Sequence, residues 1–315
     1  MTKFLYKATV VFFLLLSLVG CETVVDFKGD YVESLPVLNA VLAPDEPVRA
    51  SYSRSVFILA ENTDTVIDDG TVELYINDVF VERLTPAVDT TAWGAINHYY
   101  IGTTTPKVAD RVTLRASSAE FPEWVSGSAT IPESPVLGDL TIEHSESVEE
   151  GYTNLSARVE FSDPAGEQNY YLLSGSLVKQ YDNPYAYAQR LYFEYSDIAF
   201  REGKAEGVLD ELLGGWGDNA LFADTMIDGL QGYPLTMECE YASDYWNEPI
   251  TSFEVACFQI DQHLYNYLRS EELADNAAMF GEPVQIYTNV EGGIGVVCAR
   301  SSSVVRAKSY SEVFE

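Results

Sequence analysis

From Pro36 to Ile131 the chain breaks into short runs of β-branched and aromatic residues, separated by Asn, Asp, Gly and Pro. Such runs are too short and too closely punctuated for helices, and they confine this part of the chain to a small antiparallel β fold. The runs are Pro36 to Leu42, Val48 to Val56, Thr71 to Asn77, Val79 to Leu84, Asn97 to Gly102, Arg111 to Ser117 and Trp124 to Ile131. Asn77-Asp78 reads as a tight hairpin turn inside Val72 to Leu84, because both residues tolerate a left-handed backbone. About seven short strands in roughly 100 residues is the pattern of an immunoglobulin-like β-sandwich. The Cys and Trp hallmarks of antibody domains are absent.

Ile131-Pro132-Glu133-Ser134-Pro135 follows, and its two prolines disfavour both helix and central strand, so it reads as a linker. Beyond it a second, larger antiparallel β domain is expected. Its strands are read at Leu140 to Glu143, Thr153 to Phe161, Tyr170 to Gln180, Gln189 to Tyr195, Leu235 to Tyr241, Phe253 to Ile260, Val284 to Asn289 and Ile294 to Arg300. Ser196 to Gly232 is rich in Gly and Asp and reads as a long excursion, with a helical turn or two at Gly207 to Leu213. The one convincing helix starts after Asp261, a good N-cap, and runs through Leu264 and Leu268 towards Ala274 as a crossover helix between strands. The chain thus divides into residues 1–20, a tether 21–31, a sandwich 32–131 and a second β-rich domain 136–315, consistent with about 100–200 residues per domain.

The N-terminus says where such a protein lives. Lys3 and Lys7 form a basic n-region, and the apolar stretch from Ala8 to Val19 is too short to span a bilayer comfortably. It ends in Leu18-Val19-Gly20-Cys21, a lipoprotein processing run in which small Gly20 admits the peptidase and Cys21 takes the lipid. The expected mature chain therefore begins at a lipidated Cys21 and is held to a membrane by that anchor. The alternatives are a plain secretory signal with an accidental cysteine, or a short N-terminal anchor.

Charge narrows the partners. The chain carries 49 acidic against 18 basic side chains, a formal net charge of −31, and losing Lys3 and Lys7 makes it more negative still. Nucleic acid and anionic lipid surfaces repel such a chain. The acidity serves solubility or attracts cations, but no loop carries a calcium-binding D-x-[DN]-x-[DN]-G spacing. With Cys21 lipidated, Cys239, Cys257 and Cys298 remain in a compartment where disulfides persist. Cys239 and Cys257 lie in two strand-like runs flanking the turn-rich Ser243 to Pro249, so a cross-strand disulfide between them is expected, with Cys298 left over. Three buried thiols are the alternative.

Catalytic signatures are missing. His98, His144 and His263 are far apart and sit in no zinc-binding spacing, so neither metal nor cofactor is implied. There is no G-x-S-x-G elbow. Acidic pairs such as Asp68-Asp69 and Glu149-Glu150 carry little information in so acidic a chain, and Gly214-Gly215 and Gly292-Gly293 lack the Lys and Ser/Thr of a phosphate loop. Aromatic residues in polar loops are what remains: Tyr185 in Tyr-Asp-Asn-Pro-Tyr-Ala-Tyr, Trp216 in Gly-Gly-Trp-Gly-Asp and Trp246 beside Tyr245. They either contact a ligand or partner protein, or fold back as lids over the sandwich ends.

Two stretches carry a family resemblance. Phe161-Ser162-Asp163-Pro164-Ala165-Gly166 with Asn169-Tyr170-Tyr171, and Phe280-Gly281-Glu282-Pro283-Val284-Gln285-Ile286-Tyr287-Thr288-Asn289-Val290-Glu291-Gly292-Gly293-Ile294-Gly295, resemble motifs of the Bacteroidetes lipoprotein family described as domain of unknown function 4249. The resemblance covers nearly the whole mature chain. It implies an outer-membrane lipoprotein, surface-exposed or facing the periplasm, that accompanies a TonB-dependent receptor. With catalytic signatures missing and aromatics in the loops, the expected role is a non-enzymatic accessory that binds either the receptor or its substrate. A structural or adhesive cell-surface lipoprotein is the alternative. The family supplies no site residues. Cys21 is followed by Glu22-Thr23-Val24-Val25-Asp26 and not by the acidic run usual for surface export in these bacteria. Read physically, Asp163-Pro164 with Gly166 builds a turn, and Gly292-Gly293 with Gly295 permits a positive-φ turn into the last strand.

Overall fold

The computed structural model describes residues 33–57, 60, 63–90, 96–149, 152–180, 186–190, 198–200, 204–205, 219–242, 250–278 and 284–308. Its strands are β1 (Pro36–Leu42), β2 (Arg49–Arg54), β3 (Thr71–Ile76), β4 (Val79–Arg83), β5 (Thr85–Thr90), β6 (Ile96–Ile101), β7 (Arg111–Ser117) and β8 (Val125–Thr130). They continue with β9 (Val136–Glu146), β10 (Tyr152–Ser162), β11 (Tyr170–Gln180), β12 (Ala186–Arg190), β13 (Lys204–Ala205), β14 (Asn219–Ala223), β15 (Tyr233–Ala242), β16 (Ile250–Ile260) and β17 (Val297–Lys308). Helix α1 (Gln262–Ala278) lies between β16 and β17, which are antiparallel neighbours.

One ten-stranded sheet, β13-β14-β11-β16-β17-β1-β2-β6-β5 with β12 beside β11, forms the backbone of the fold. A four-stranded sheet, β4-β3-β7-β8, covers one part of it and a three-stranded sheet, β15-β10-β9, another. Alternation explains each interface. In the first sandwich Leu38, Ala40 and Leu42 of β1 meet Val72 and Leu74 of β3 and Val112, Leu114 and Ala116 of β7, all buried. In the second, Leu155, Val159 and Phe161 of β10 and Leu235 and Met237 of β15 meet Tyr171 and Leu173 of β11 and Phe253 and Val255 of β16. The residues one step out of phase, Tyr170, Leu172, Phe258 and Ile260, point to the reverse face and pack under Leu264 and Leu268 of α1. Asp261 caps that helix, its carboxylate accepting the Leu264 N–H at 2.9 Å.

The expected boundary between residues 32–131 and 136–315 does not separate two bodies, because Ser34–Glu315 is one compact unit. The reason is β17. It starts parallel to β1, with Ala40 opposite Val297, and continues antiparallel to β16, with Lys308 opposite Ser252. Val297 and Ala299 enter the first core, Cys298 the layer under α1, and Val305 and Ala307 pack on the second core. The Pro-rich linker is itself pinned to this strand, since the hydroxyls of Ser301 and Ser303 donate to the carbonyls of Pro132 and Pro135, each at 2.6 Å.

Individual strand boundaries follow the sequence with instructive exceptions. Asn77 and Asp78 both have positive φ, 51° and 66°, as the β3–β4 hairpin requires. β5 escapes notice because Thr-Pro-Ala-Val-Asp-Thr is polar and contains a proline, which an outer strand tolerates. β14 lies inside the expected excursion, yet Ala220, Leu221 and Phe222 are fully buried. Val284 to Asn289 is irregular and not a strand, held by side chains: Ser270 Oγ accepts the Tyr287 N–H, and Asn289 bonds the backbone of Ser128 and Val297. The helical turn expected at Gly207 to Leu213 lies outside the described residues.

Candidate functional site

The best-built polar cluster lies at the turn between β10 and β11. Asp163 follows the last residue of β10 and is fully buried. Its carboxylate accepts the Tyr171 hydroxyl at 2.7 Å and the Gly229 N–H at 3.0 Å, and its carbonyl accepts Gln231 Nε2 at 2.7 Å. Asp224, buried in the short turn after β14, accepts the Asn169 N–H at 2.7 Å and Asn169 Nδ2 at 3.3 Å. Gln259 of β16 fixes that amide by donating to Asn169 Oδ1 at 2.9 Å. Asp228, exposed, accepts the Gly166 N–H at 2.9 Å. Gly166 and Gly229 both have positive φ, 90° and 72°, which lets their N–H groups turn inwards.

One carboxylate oxygen from each of Asp163, Asp224 and Asp228 comes within 4.8 Å of the others, the one such acidic, His or Cys group among the described residues. Burial, together with the neighbouring Asp163 and Asp228, raises the Asp224 pKa above the ordinary carboxylate value, while the Asn169 donors pull it down. Oxygen donors of this kind suit a hard cation. Here the protein's own N–H and O–H groups engage all three carboxylates, and the cluster works as a lock joining the 163–171 turn to the 224–231 turn. Asp163 belongs to the Ser-Asp-Pro-Ala-Gly stretch read from sequence as a simple turn, and Asn169 follows it by three residues. Asp224 and Asp228, some sixty residues further on, were not legible as their partners.

The residues expected to carry function are placed differently. Cys21, Tyr185, Trp216 and Trp246 lie outside the described residues. Cys239 and Cys257 are both buried free thiols, which corrects the expected disulfide. β15 pairs with β10 and β16 with β11 and β17, so the two cysteines line one core from opposing sheets instead of facing each other across a hairpin. Burial pushes the Cys239 thiol up to about 12, and that of Cys257 higher. Cys298 is also free and donates to the Ala40 carbonyl at 3.4 Å. His98 is exposed on β6, His144 lies on β9, and His263 meets the Tyr287 hydroxyl at 2.8 Å, its pKa lowered by burial.

The Asn-x-x-Gly-Gly-x-Gly run has an architectural task. Gly293 passes so close to β1 that an added Cβ would lie 2.5 Å from the Pro36 carbonyl oxygen, and Gly295, at φ 117°, would place one 2.3 Å from that of Leu38. Asn289 closes the loop by donating to the carbonyls of Ser128 and Val297 and accepting the Val297 N–H.

Fold and turn lock together define a mostly β protein in which two sandwiches share one long sheet. The chain belongs to the family described as Domain of unknown function (DUF4249), matched over residues 22–306. No curated protein matches it. Among solved structures, the Fcho1 Mu homology domain of Danio rerio with bound Eps15 peptide is similar at 11% identity, over 85% of this chain and 92% of that one, with a TM-score of 0.21. A likeness that slight carries nothing over to this fold.

Proposed function

We propose that the chain is an outer-membrane lipoprotein, anchored by lipid on Cys21, that serves as a non-enzymatic accessory of a TonB-dependent transporter by binding the transporter or its substrate. The observation that carries the anchor is Leu18-Val19-Gly20-Cys21 at the end of the apolar stretch from Ala8 to Val19. Among the described residues no helix is long and apolar enough to cross a membrane. The transporter association and the outer-membrane setting rest on the family resemblance. The binding role is supported by loop aromatics and by a fold whose best polar cluster is occupied in holding two turns together.

Fractionation of cells producing Cys21→Ser tests the anchor. The variant is expected to move from the membrane pellet to the soluble fraction. Retention in the pellet after a high-salt wash, with the signal removed, contradicts it.

A further inference from the structure

The outer face of the four-stranded sheet departs from the character of the rest of the molecule. Val72, Leu74, Val112, Leu114 and Ala116 point into the first core, so their neighbours in β3 and β7 point outwards. Cross-strand register then places Arg83, Glu73, Arg115 and Ser126 in one row and Phe80, Tyr75, Thr113 and Ser128 in the next. In a chain of net charge −31 this face carries Arg83, Arg111 and Arg115 against Glu73, the turn residue Asp78 and Glu291, which bridges to Ser126 at the end of the first row. Arg83 is spent on Glu73 at 3.1 Å and Arg111 on Asp78 at 3.0 Å. Glu73, although opposite Arg115, takes its other hydrogen bond from the Tyr75 hydroxyl at 2.9 Å.

Arg115 is the exception. Its guanidinium lies 5.8 Å from the Tyr75 ring centroid and 5.2 Å from that of Trp124, and among the described residues no hydrogen bond or ion pair engages it. A guanidinium held against aromatic rings has already lost much of its rotamer freedom, so closing a bidentate pair with a carboxylate costs little further ordering. Apolar surface flanks it. Phe80 packs edge-on against Tyr75 and is 49% exposed, Trp124 is 38% exposed, and Val79 and Val81 lie open on β4, the outermost strand of its sheet. An outer strand offers backbone donors and acceptors to an added extended segment.

We infer that this face binds an extended, carboxylate-bearing segment of a partner protein, with one acidic side chain paired to Arg115 and apolar neighbours laid along Phe80 and the β4 edge. Charge complementarity selects the occupant: Arg115 is the one guanidinium of the face without an ionic partner among the described residues, and a carboxylate is the group that completes it, while the acidic remainder of the molecule repels such a partner elsewhere. The inference uses none of Cys21, Tyr185, Trp216 and Trp246, so its failure leaves the reading above standing.

Calorimetric titration of the mature chain in neutral detergent tests it, with a terminally blocked heptapeptide alternating valine and glutamate as probe. Saturable binding is expected, weakened at least about tenfold by Arg115→Gln at unchanged melting temperature and weakened likewise when the peptide glutamates become glutamine. Arg111→Gln, already paired within the chain, should leave affinity unchanged. No saturable binding, equal affinity in Arg115→Gln, or preference for polygalacturonate over the peptide overturns the inference. So does a face that instead pairs two copies of the chain, seen as a dimer in sedimentation that Arg115→Gln dissociates.

Discussion

Asp261 holds the first turn of α1 through one carboxylate oxygen while the other is buried and has no hydrogen-bond partner among the described residues. Burial pushes its pKa up to about 7, against the backbone donors of Leu264, Ala299 and His263 that lower it. An unfolded Asp titrates near about 4, so the unfolded chain gives up this proton first. Stability from this group is complete below about pH 4 and declines as pH rises to about 7. Asp261→Asn keeps a capping oxygen and removes the buried charge. We expect its stability to be flat across that window and, at pH 8, to exceed the wild type by on the order of 2 to 4 kcal/mol in denaturant unfolding. Loss of stability at every pH would instead show the charge favouring the helix N-terminus. Gly295 is as demanding in another way. Ala there meets the Leu38 carbonyl at a positive φ, and Gly295→Ala should cost more than about 3 kcal/mol in the same measurement.

β17 is the element on which both sandwiches depend, and that was the least legible part of the fold. Pro36–Leu42, Arg111–Ser117 and Tyr170–Gln180 coincide with the runs read from sequence, because strict alternation and flanking turn residues fix a strand locally. Nothing local reveals that Val297 will lie beside Ala40, since parallel pairing over such a separation is decided by the whole sheet. The glycines at 292, 293 and 295 were visible, but the close approach to β1 that demands them was not. Three side chains from the C-terminal part, Val290, Val297 and Ala299, complete the first core. A fragment of residues 34–131 should therefore show no cooperative thermal unfolding, whereas residues 34–315 should melt in a single transition. Cooperative melting of the short fragment would restore two independent domains.

From Ser34 to Glu315 the chain is one compact unit in which two sandwiches share a single long sheet. Its candidate sites were legible to unequal degrees. Asp163 sat in a recognisable stretch while Asp224 and Asp228 did not, because only folding brings the two turns together. The Arg115 clamp was hidden because neither Arg115 nor Trp124 stands out in sequence; stacking across strands creates it. Tyr185, Trp216 and Trp246 were singled out from sequence either as ligand or partner contacts or as lids over the sandwich ends, and in other interfaces a few such aromatics supply most of the affinity. Affinity purification of the intact lipidated chain from outer membrane in mild detergent, beside the variant with Ala at those three positions, tests the accessory-binder account. The intact chain is expected to bring down a TonB-dependent receptor in near-stoichiometric amount, and the variant to lose it at an unchanged melting temperature. Recovery of the intact chain alone, or undiminished capture by a variant that melts early, contradicts the account.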